Sequence, residues 1–309
     1  MKKGETSFPW RCLSMINDIS NIILGTAQFG MDYGITNRKG RVAEKEATEI
    51  LAYCKRFNIQ TIDAAANYGK AEKILGRLAA KDHFAIYSKT LPLHVATITR
   101  QELESVETAF FRSLGNLKAS HVEGVYVHHA NDLLVKDSDK LYHLMLAWKQ
   151  AGLTKKIGVS IYDQIQLQSI IANYDIDVIQ LPLNIYDQRL LTSGALDELK
   201  KRNIEIHARS IFLQGLLLSE AEQLPSAFSS LIPRQRKLEL FFNAHQLTKL
   251  EGALQFIVQI KQLDAMLVGV DSINHMKEII HAFYNQKKIY IDFQVFQIDD
   301  VNIIDPRRW

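Results

Sequence analysis

Short apolar runs alternate with longer amphipathic stretches along most of this chain. The runs fall at 21–25 (NIILG), 60–64, 84–89, 123–128, 156–160, 177–181, 204–208 and 265–269. Near-continuous apolar runs of this length are the pattern of parallel strands buried on both faces. The intervening stretches repeat with the helical period and predict helices over 43–57, 70–80, 99–118, 138–151, 163–173, 194–202, 248–261 and 272–285. Eight strand and helix pairs are the number that closes a (β/α)8 TIM barrel. A doubly wound open sheet shows the same local alternation, but no G-x-G-x-x-G loop follows the first strand. The reading is an α/β single-domain barrel over 21–309. It has an irregular or helical insertion after the seventh strand and an N-terminal extension, 1–20, of no clear period.

Composition narrows the partners. A chain of 309 residues, 47% hydrophobic with six prolines, can bury one large core. Its net charge of +3 comes from dispersed residues, which argues against nucleic acid or an anionic membrane surface and leaves small molecules as partners. Cys12 and Cys54 are the two cysteines; they lie far apart without metal-ligand spacing, so no disulfide framework or zinc site is expected. No apolar run approaches the ~20 residues of a membrane span, and the expected location is cytoplasmic.

The chemistry gathers at strand ends. In the stretch 61–76, TIDAAANYGKAEKILG, an apolar run stops on Asp63, and Tyr68 follows in a glycine-containing loop. Lys89 ends the run 84–89 and His128 the run 123–128. Alternation along a strand puts Asp63 on one face with Thr61, Lys89 with Tyr87 and Ala85, and His128 with Tyr126 and Gly124. The helix-facing sides carry Ile62, Ile86 and Val127, and His129 falls on that side too. Each polar residue alone has an ordinary role: a loop cap, a solvated strand end, a surface aromatic, a core histidine. Together they form a site at the carboxyl ends of the strands, where parallel barrels do chemistry. A buried ammonium at Lys89 needs a carboxylate, which Asp63 supplies. The cation is expected to lower the phenol of Tyr68 from its usual ~10, with His128 orienting a carbonyl oxygen or assisting the proton relay. A tyrosine proton donor beside a cation suits carbonyl reduction, in which the oxygen becomes an alkoxide as hydride arrives; that chemistry needs no metal.

The run IDAAANYGKAEKILG, with SK at 88–89, VYVHH at 125–129 and GTAQFG at 25–30, resembles the aldo/keto reductase superfamily from residue 21 to about 284. The resemblance implies a (β/α)8 barrel using NADPH or NADH, with Asp63, Tyr68, Lys89 and His128 as catalytic tetrad. In it Tyr68 is general acid or base, Lys89 and Asp63 tune it, and His128 positions the substrate oxygen. On the cofactor side the resemblance is less even. The family's GVSN segment is Gly158, Val159, Ser160, Ile161 here, so Ser160 is expected on the carboxamide while the usual Asn contact is missing. Gln180 fits the second carboxamide ligand; on its own it reads equally well as a core amide. Where the family has YSPLG, the chain has RSIFLQG at 209–215. Arg209 therefore replaces a stacking aromatic, as a planar guanidinium can, and Ser210 and Leu213 are expected near the pyrophosphate. After the eighth strand, Gly269 and Ser272 are expected to approach phosphate at a helix N-terminus, with His275 and Glu278 nearby and no arginine between 268 and 278. Asp271 there repels a 2′-phosphate and suits a ribose hydroxyl. NADH is therefore expected to be usable, with a weaker NADPH preference than the family norm. The opening GTAQFGMDYGITN and the ending DPRRW resemble members of bacterial surface-sugar pathways, which implies a sugar-derived carbonyl. The rival class is a non-catalytic cofactor-binding partner protein on the same barrel, as in potassium-channel beta subunits.

Overall fold

In the computed structural model, which describes residues 18–287 and 289–309, eight parallel strands close into a barrel in sequence order. They are β1 (Ile22–Gly25), β2 (Thr61–Asp63), β3 (Ala85–Lys89), β4 (Val122–Val127), β5 (Thr154–Ser160), β6 (Val178–Pro182), β7 (Glu205–Arg209) and β8 (Ala265–Gly269). β1 pairs with both β2 and β8, which removes every sheet edge. All eight strands expected from the apolar runs are present, with ends moved by one or two residues. Cys12 and most of the N-terminal extension fall outside the described residues. Cys54 is buried, and burial raises its thiol to about 12.

Helix starts follow capping chemistry. Thr99 and Glu102 form a reciprocal capping box at helix Arg100–Leu117, and Thr248 and Glu251 do the same at Lys249–Val258. Ser272 caps helix Ile273–Tyr284. The helix after β2 is shorter than its periodicity implied, Ala71–Arg77 instead of 70–80. The chain turns left-handed at Ala79 (φ 53°) into a 3-10 turn, Ala80–Asp82, and the periodic residues there serve that turn. The insertion after β7 consists of 3-10 segments Leu213–Leu218, Ala221–Gln223 and Ser226–Leu231, then helix Ile232–Ala244. Among the described residues no helix is long and apolar enough to cross a membrane.

Alternation decides where the core sits. Ile62, Ile86, Val125, Val159, Ile179 and Ile206 face outward and pack against the helices in one continuous apolar cluster. The interior faces carry polar and aromatic groups. Tyr87 stacks on Tyr126 with ring centroids 5.4 Å apart. Tyr126 Oη lies 2.6 Å from His207 Nδ1, and His207 Nε2 lies 2.7 Å from Glu205 Oε1. Glu205 also pairs with Lys156, whose Nζ donates to Tyr87 Oη at 3.1 Å. Burial raises the Glu205 carboxyl, but hydrogen bonds from His207 and Lys156 outweigh it and leave it at about 2. Tyr87 fits because Gly124 has no side chain: a Cβ there would lie 2.4 Å from the Tyr87 ring.

Two glycine replacements separate packing from backbone entropy. Gly124→Ala should cost about 2 kcal/mol by forcing the Tyr87 stack apart. Gly115→Ala, on an exposed turn of helix Arg100–Leu117 where a Cβ meets nothing within 4 Å, should gain roughly 0.5–1 kcal/mol. Urea unfolding of both variants checks the two signs.

Candidate active site

At the carboxyl end of the barrel the Lys89 ammonium forms an ion pair with both carboxylate oxygens of Asp63, each side chain 2% exposed. Two such charges survive burial only together. The carboxylate is fixed from other sides as well. Gln180 Nε2 donates to Asp63 Oδ2 at 2.9 Å from across the barrel, and the Asp63 carbonyl accepts from Thr26 N and Thr26 Oγ1 at 3.1 and 2.8 Å. The neighbouring outward residue Ser88 donates to the buried carboxyl of Glu72 at 3.2 Å. Burial raises that carboxyl, and Glu72 ties the next helix to β3.

Tyr68 reaches this pair from the loop after β2. Lys89 Nζ donates to Tyr68 Oη at 3.2 Å, and Tyr68 Oη lies 3.5 Å from Asp63 Oδ1. Two glycines make the loop possible. Gly69 turns left-handed at φ 54°, and a Cβ on Gly30 would lie 1.6 Å from the Tyr68 carbonyl oxygen, so the loops after β1 and β2 touch backbone to backbone. The expected acidification of the phenol is not found. Burial, then the charge of Asp63, push Tyr68 well above 10. With burial and a carboxylate both opposing its ionisation, Tyr68 stays protonated. Burial also lowers the Lys89 ammonium, against the pull of Asp63.

His128 completes the group. Its ring stands edge-on to Tyr68 with centroids 5.9 Å apart, and its Nδ1 is buried without a hydrogen-bond partner among the described residues. Burial, with Lys89 and Arg209 adding to it, holds the imidazole at about 3, so it is neutral at working pH. His129 points elsewhere: its Nδ1 lies 3.1 Å from Asp132 Oδ1, a buried carboxylate that also accepts from Leu93 N at 2.9 Å.

All four residues line a cavity of about 390 Å³ together with Ser160, Gln180, Arg209, Ser210, Gly269, Asp271 and His275. Ser160 Oγ lies 3.4 Å from Gln180 Oε1, so these two expected carboxamide ligands are joined to each other and to Asp63. A second cavity of about 880 Å³ shares the walls Thr36, Phe212, Gly215, Leu218, Gly269 and His275, and adds Glu278 and Arg38. Leu213 and Ser272 line neither cavity. Leu213 has φ 49°, and its side chain lies in the apolar cluster; the Ser272 hydroxyl accepts from His275 N at 3.3 Å as helix cap. Asp271 Oδ1 lies 2.8 Å from His275 Nδ1, in contact but outside hydrogen-bond geometry. The cavity also exposes residues the sequence did not single out: Thr26, Asn67 and Tyr162. Tyr162 follows the Gly158–Ile161 segment by one residue, and only its neighbours in space mark it.

A buried Asp, Lys, Tyr and His converging at one barrel mouth is a particular arrangement, and the sequence model of the Aldo/keto reductase family matches residues 21–302. The chain belongs to the aldo/keto reductase family. Among solved structures it is similar to the aldo-keto reductase AKR11C1 from Bacillus halodurans in its holo form, with a TM-score of 0.71 at 16% identity over 94% of this chain and 95% of that one. It is also similar to the thermostable aldo-keto reductase Tm1743 in complex with the inhibitor epalrestat, with a TM-score of 0.65 at 20% identity over 89% and 92%. Identities this low carry the fold alone. Among curated proteins nothing matches the chain. Family and fold together support carbonyl oxidoreductase activity in this aldo/keto reductase.

The depressed imidazole makes stability depend on pH. The unfolded chain protonates His128 as pH falls through 6.5, whereas the folded chain resists until about 3. Between those values the unfolded state binds more protons, so stability falls as pH falls. From pH 7 to pH 5 this amounts to roughly 2 kcal/mol. His128→Gln should remove that share of the acid loss, read from urea midpoints at the two pH values.

Proposed function

We propose that this aldo/keto reductase converts an aldehyde or ketone to an alcohol with NADPH or NADH, Tyr68 delivering the proton to the carbonyl oxygen. The observation that carries the reading is the phenol held protonated beside an imidazole whose Nδ1 has no partner among the described residues, both on the wall of one cavity. A carbonyl oxygen between them has a proton donor on one side and a neutral hydrogen-bonding ring on the other. Lys89 and Asp63 keep Tyr68 placed, and the ammonium stands 3.2 Å from the oxygen that becomes negative as the proton leaves.

The two adjoining cavities suit an elongated ligand such as a dinucleotide. When bound, its reduced nicotinamide supplies the hydride to the carbonyl carbon. Ser160 and Gln180 retain hydrogen-bonding capacity for the carboxamide beyond the bonds they share. Arg209 offers a planar face to the ring. Ser210, Gly269 and the helix start at Ser272 serve the phosphates, and Asp271, His275 and Glu278 serve the adenosine ribose.

Tyr68→Phe should lower kcat roughly 10²- to 10⁴-fold while leaving reduced-dinucleotide affinity within about twofold, measured with a panel of aldehydes and keto-sugars. Near wild-type turnover of any panel member would remove Tyr68 from the reaction. Dinucleotide binding without turnover of any carbonyl by the unmodified protein would favour the non-catalytic partner reading.

Coenzyme choice is a separate prediction. Asp271 disfavours a 2′-phosphate, so the preference for NADPH over NADH should stay below about a hundredfold, or 2.7 kcal/mol, in fluorescence titrations. A larger preference would mean that a phosphate clamp exists elsewhere, with Arg38 on the second cavity wall the first residue to replace.

A further inference from the structure

Arg209 ends β7 on the cavity wall, and its guanidinium is tied only to neutral oxygens. Nε donates to Ser160 Oγ at 3.3 Å, Nη1 to Ser210 Oγ at 3.1 Å and Nη2 to the Ile161 carbonyl at 2.9 Å. Among the described residues no carboxylate forms an ion pair with it. Those three bonds orient it against an aromatic ring: Arg209 Cζ lies 4.0 Å from the Tyr162 ring centroid and Arg307 Cζ lies 3.6 Å from the same centroid. Two guanidinium carbons that close to one centroid must occupy opposite faces, so Tyr162 is sandwiched. The outer cation belongs to the last residues of the chain. Arg307 is held by Asp305, with Nε 2.9 Å from Oδ1 and Nη2 2.5 Å from Oδ2, and Trp309 Nε1 donates to the Asn302 carbonyl at 3.0 Å while its ring packs on Phe228. Asp305 balances Arg307. Arg209, on the cavity side, is left as a positive charge held by neutral oxygens, with no carboxylate in ion-pair contact among the described residues.

We infer that Arg209 is a charge-selecting wall that makes the cavity hold a neutral dihydronicotinamide ring more tightly than the cationic oxidised ring, and that Tyr162 and Arg307 are its positioning residues. The inference rests on the proposed use of a nicotinamide coenzyme. A ring that reacts beside Tyr68 lies in the cavity that Arg209 lines. The other nearby cation, Lys89, is neutralised by Asp63 and adds little net field. The uncharged ring gains planar contact with the guanidinium. The oxidised ring meets a like charge at close range, which in a partly solvated site amounts to about a tenfold loss of affinity. Oxidation of a ring held there would place positive charge beside Arg209, which would favour release of the oxidised coenzyme over release from a neutral platform. The C-terminal segment Asp305–Trp309 thereby acts on the coenzyme through two stacked layers without touching it.

Calorimetric titration with NADH, NAD⁺ and ADP-ribose tests this. The unmodified protein should bind NADH at least about tenfold more tightly than NAD⁺. Arg209→Gln should narrow that ratio by about tenfold and leave ADP-ribose affinity within about twofold, since ADP-ribose lacks the ring. Tyr162→Leu and Arg307→Gln should narrow it part of the way, Tyr162→Phe should restore it, and Arg209→Lys, which keeps the charge, should retain most of it. Circular dichroism spectra matching the unmodified protein establish that each variant is folded. An unchanged ratio in Arg209→Gln overturns the inference and leaves the proposed function standing, as does a parallel loss of ADP-ribose affinity, which would assign Arg209 to the pyrophosphate. Failure of the unmodified protein to bind any dinucleotide overturns both.

Discussion

The rest of the site depends on one buried ion pair. An ammonium or a carboxylate alone at the barrel mouth would be driven to neutrality by desolvation, and the Coulomb attraction between Lys89 and Asp63 offsets that cost only if both are held in register. The barrel supplies the register. Asp63 lies level with Tyr87 on β3, which sets Lys89 two residues further along the same inward face, and Gln180 and Thr26 fix the acid from β6 and the end of β1. Burial, and after it the charge of Asp63, decide the phenol's state. The phenol is therefore held in its neutral form, with the Lys89 ammonium 3.2 Å from its oxygen.

The interior beneath the pair continues the same logic. Barrel interiors are commonly filled with layers of Val, Ile and Leu, yet here Tyr87, Tyr126, His207, Glu205 and Lys156 form a connected polar column. Each member finds a partner, which is the condition under which buried polar groups rigidify a core instead of weakening it. Lys89 Nζ sits 5.7 Å above the Tyr126 ring, so the top of the column is also the floor of the site. Gly124 and Gly158 provide the space; a Cβ on Gly158 would lie 2.0 Å from the Val178 carbonyl.

Much of this was legible in the chain, for identifiable reasons. Strand count follows from the eight apolar runs, and the inward faces of Asp63, Lys89 and His128 follow from a two-residue period that turns on nothing remote. Applied to β5 and β7 it also places Lys156 with Ser160 and Glu205 with His207 and Arg209, a column available to anyone extending the rule downward. The expected acidification of Tyr68 rested on the cation beside the phenol, which the sequence shows, whereas the depth of the phenol's burial, the larger effect, is set by the folded chain. At Leu213 the sequence pattern leaves out the backbone conformation. Ser210, Leu213 and Gln214 all adopt left-handed φ (58°, 49° and 53°), a conformation no pattern of side chains announces, and it turns Leu213 into the apolar core.

That strained turn matters to the wall it builds. Non-glycine residues in the left-handed region cost of order 1 kcal/mol each, so the segment keeps its shape only because neighbours hold it. Asn184 Nδ2 donates to the Ser210 carbonyl at 3.1 Å, Arg209 Nη1 donates to its hydroxyl, and Thr36 Oγ1 reaches the Gln214 carbonyl at 3.3 Å from the loop after β1. The same three contacts join β6, β7 and the β1 loop around the junction of the two cavities. Arg209 therefore contributes in two ways at once: its plane faces the cavity, and its hydrogen bond to Ser210 helps hold the turn that carries the chain past it. A charge fixed by a stack on one side and a strained turn on the other has little freedom to swing away from a ligand of like sign, so discrimination falls on the ligand.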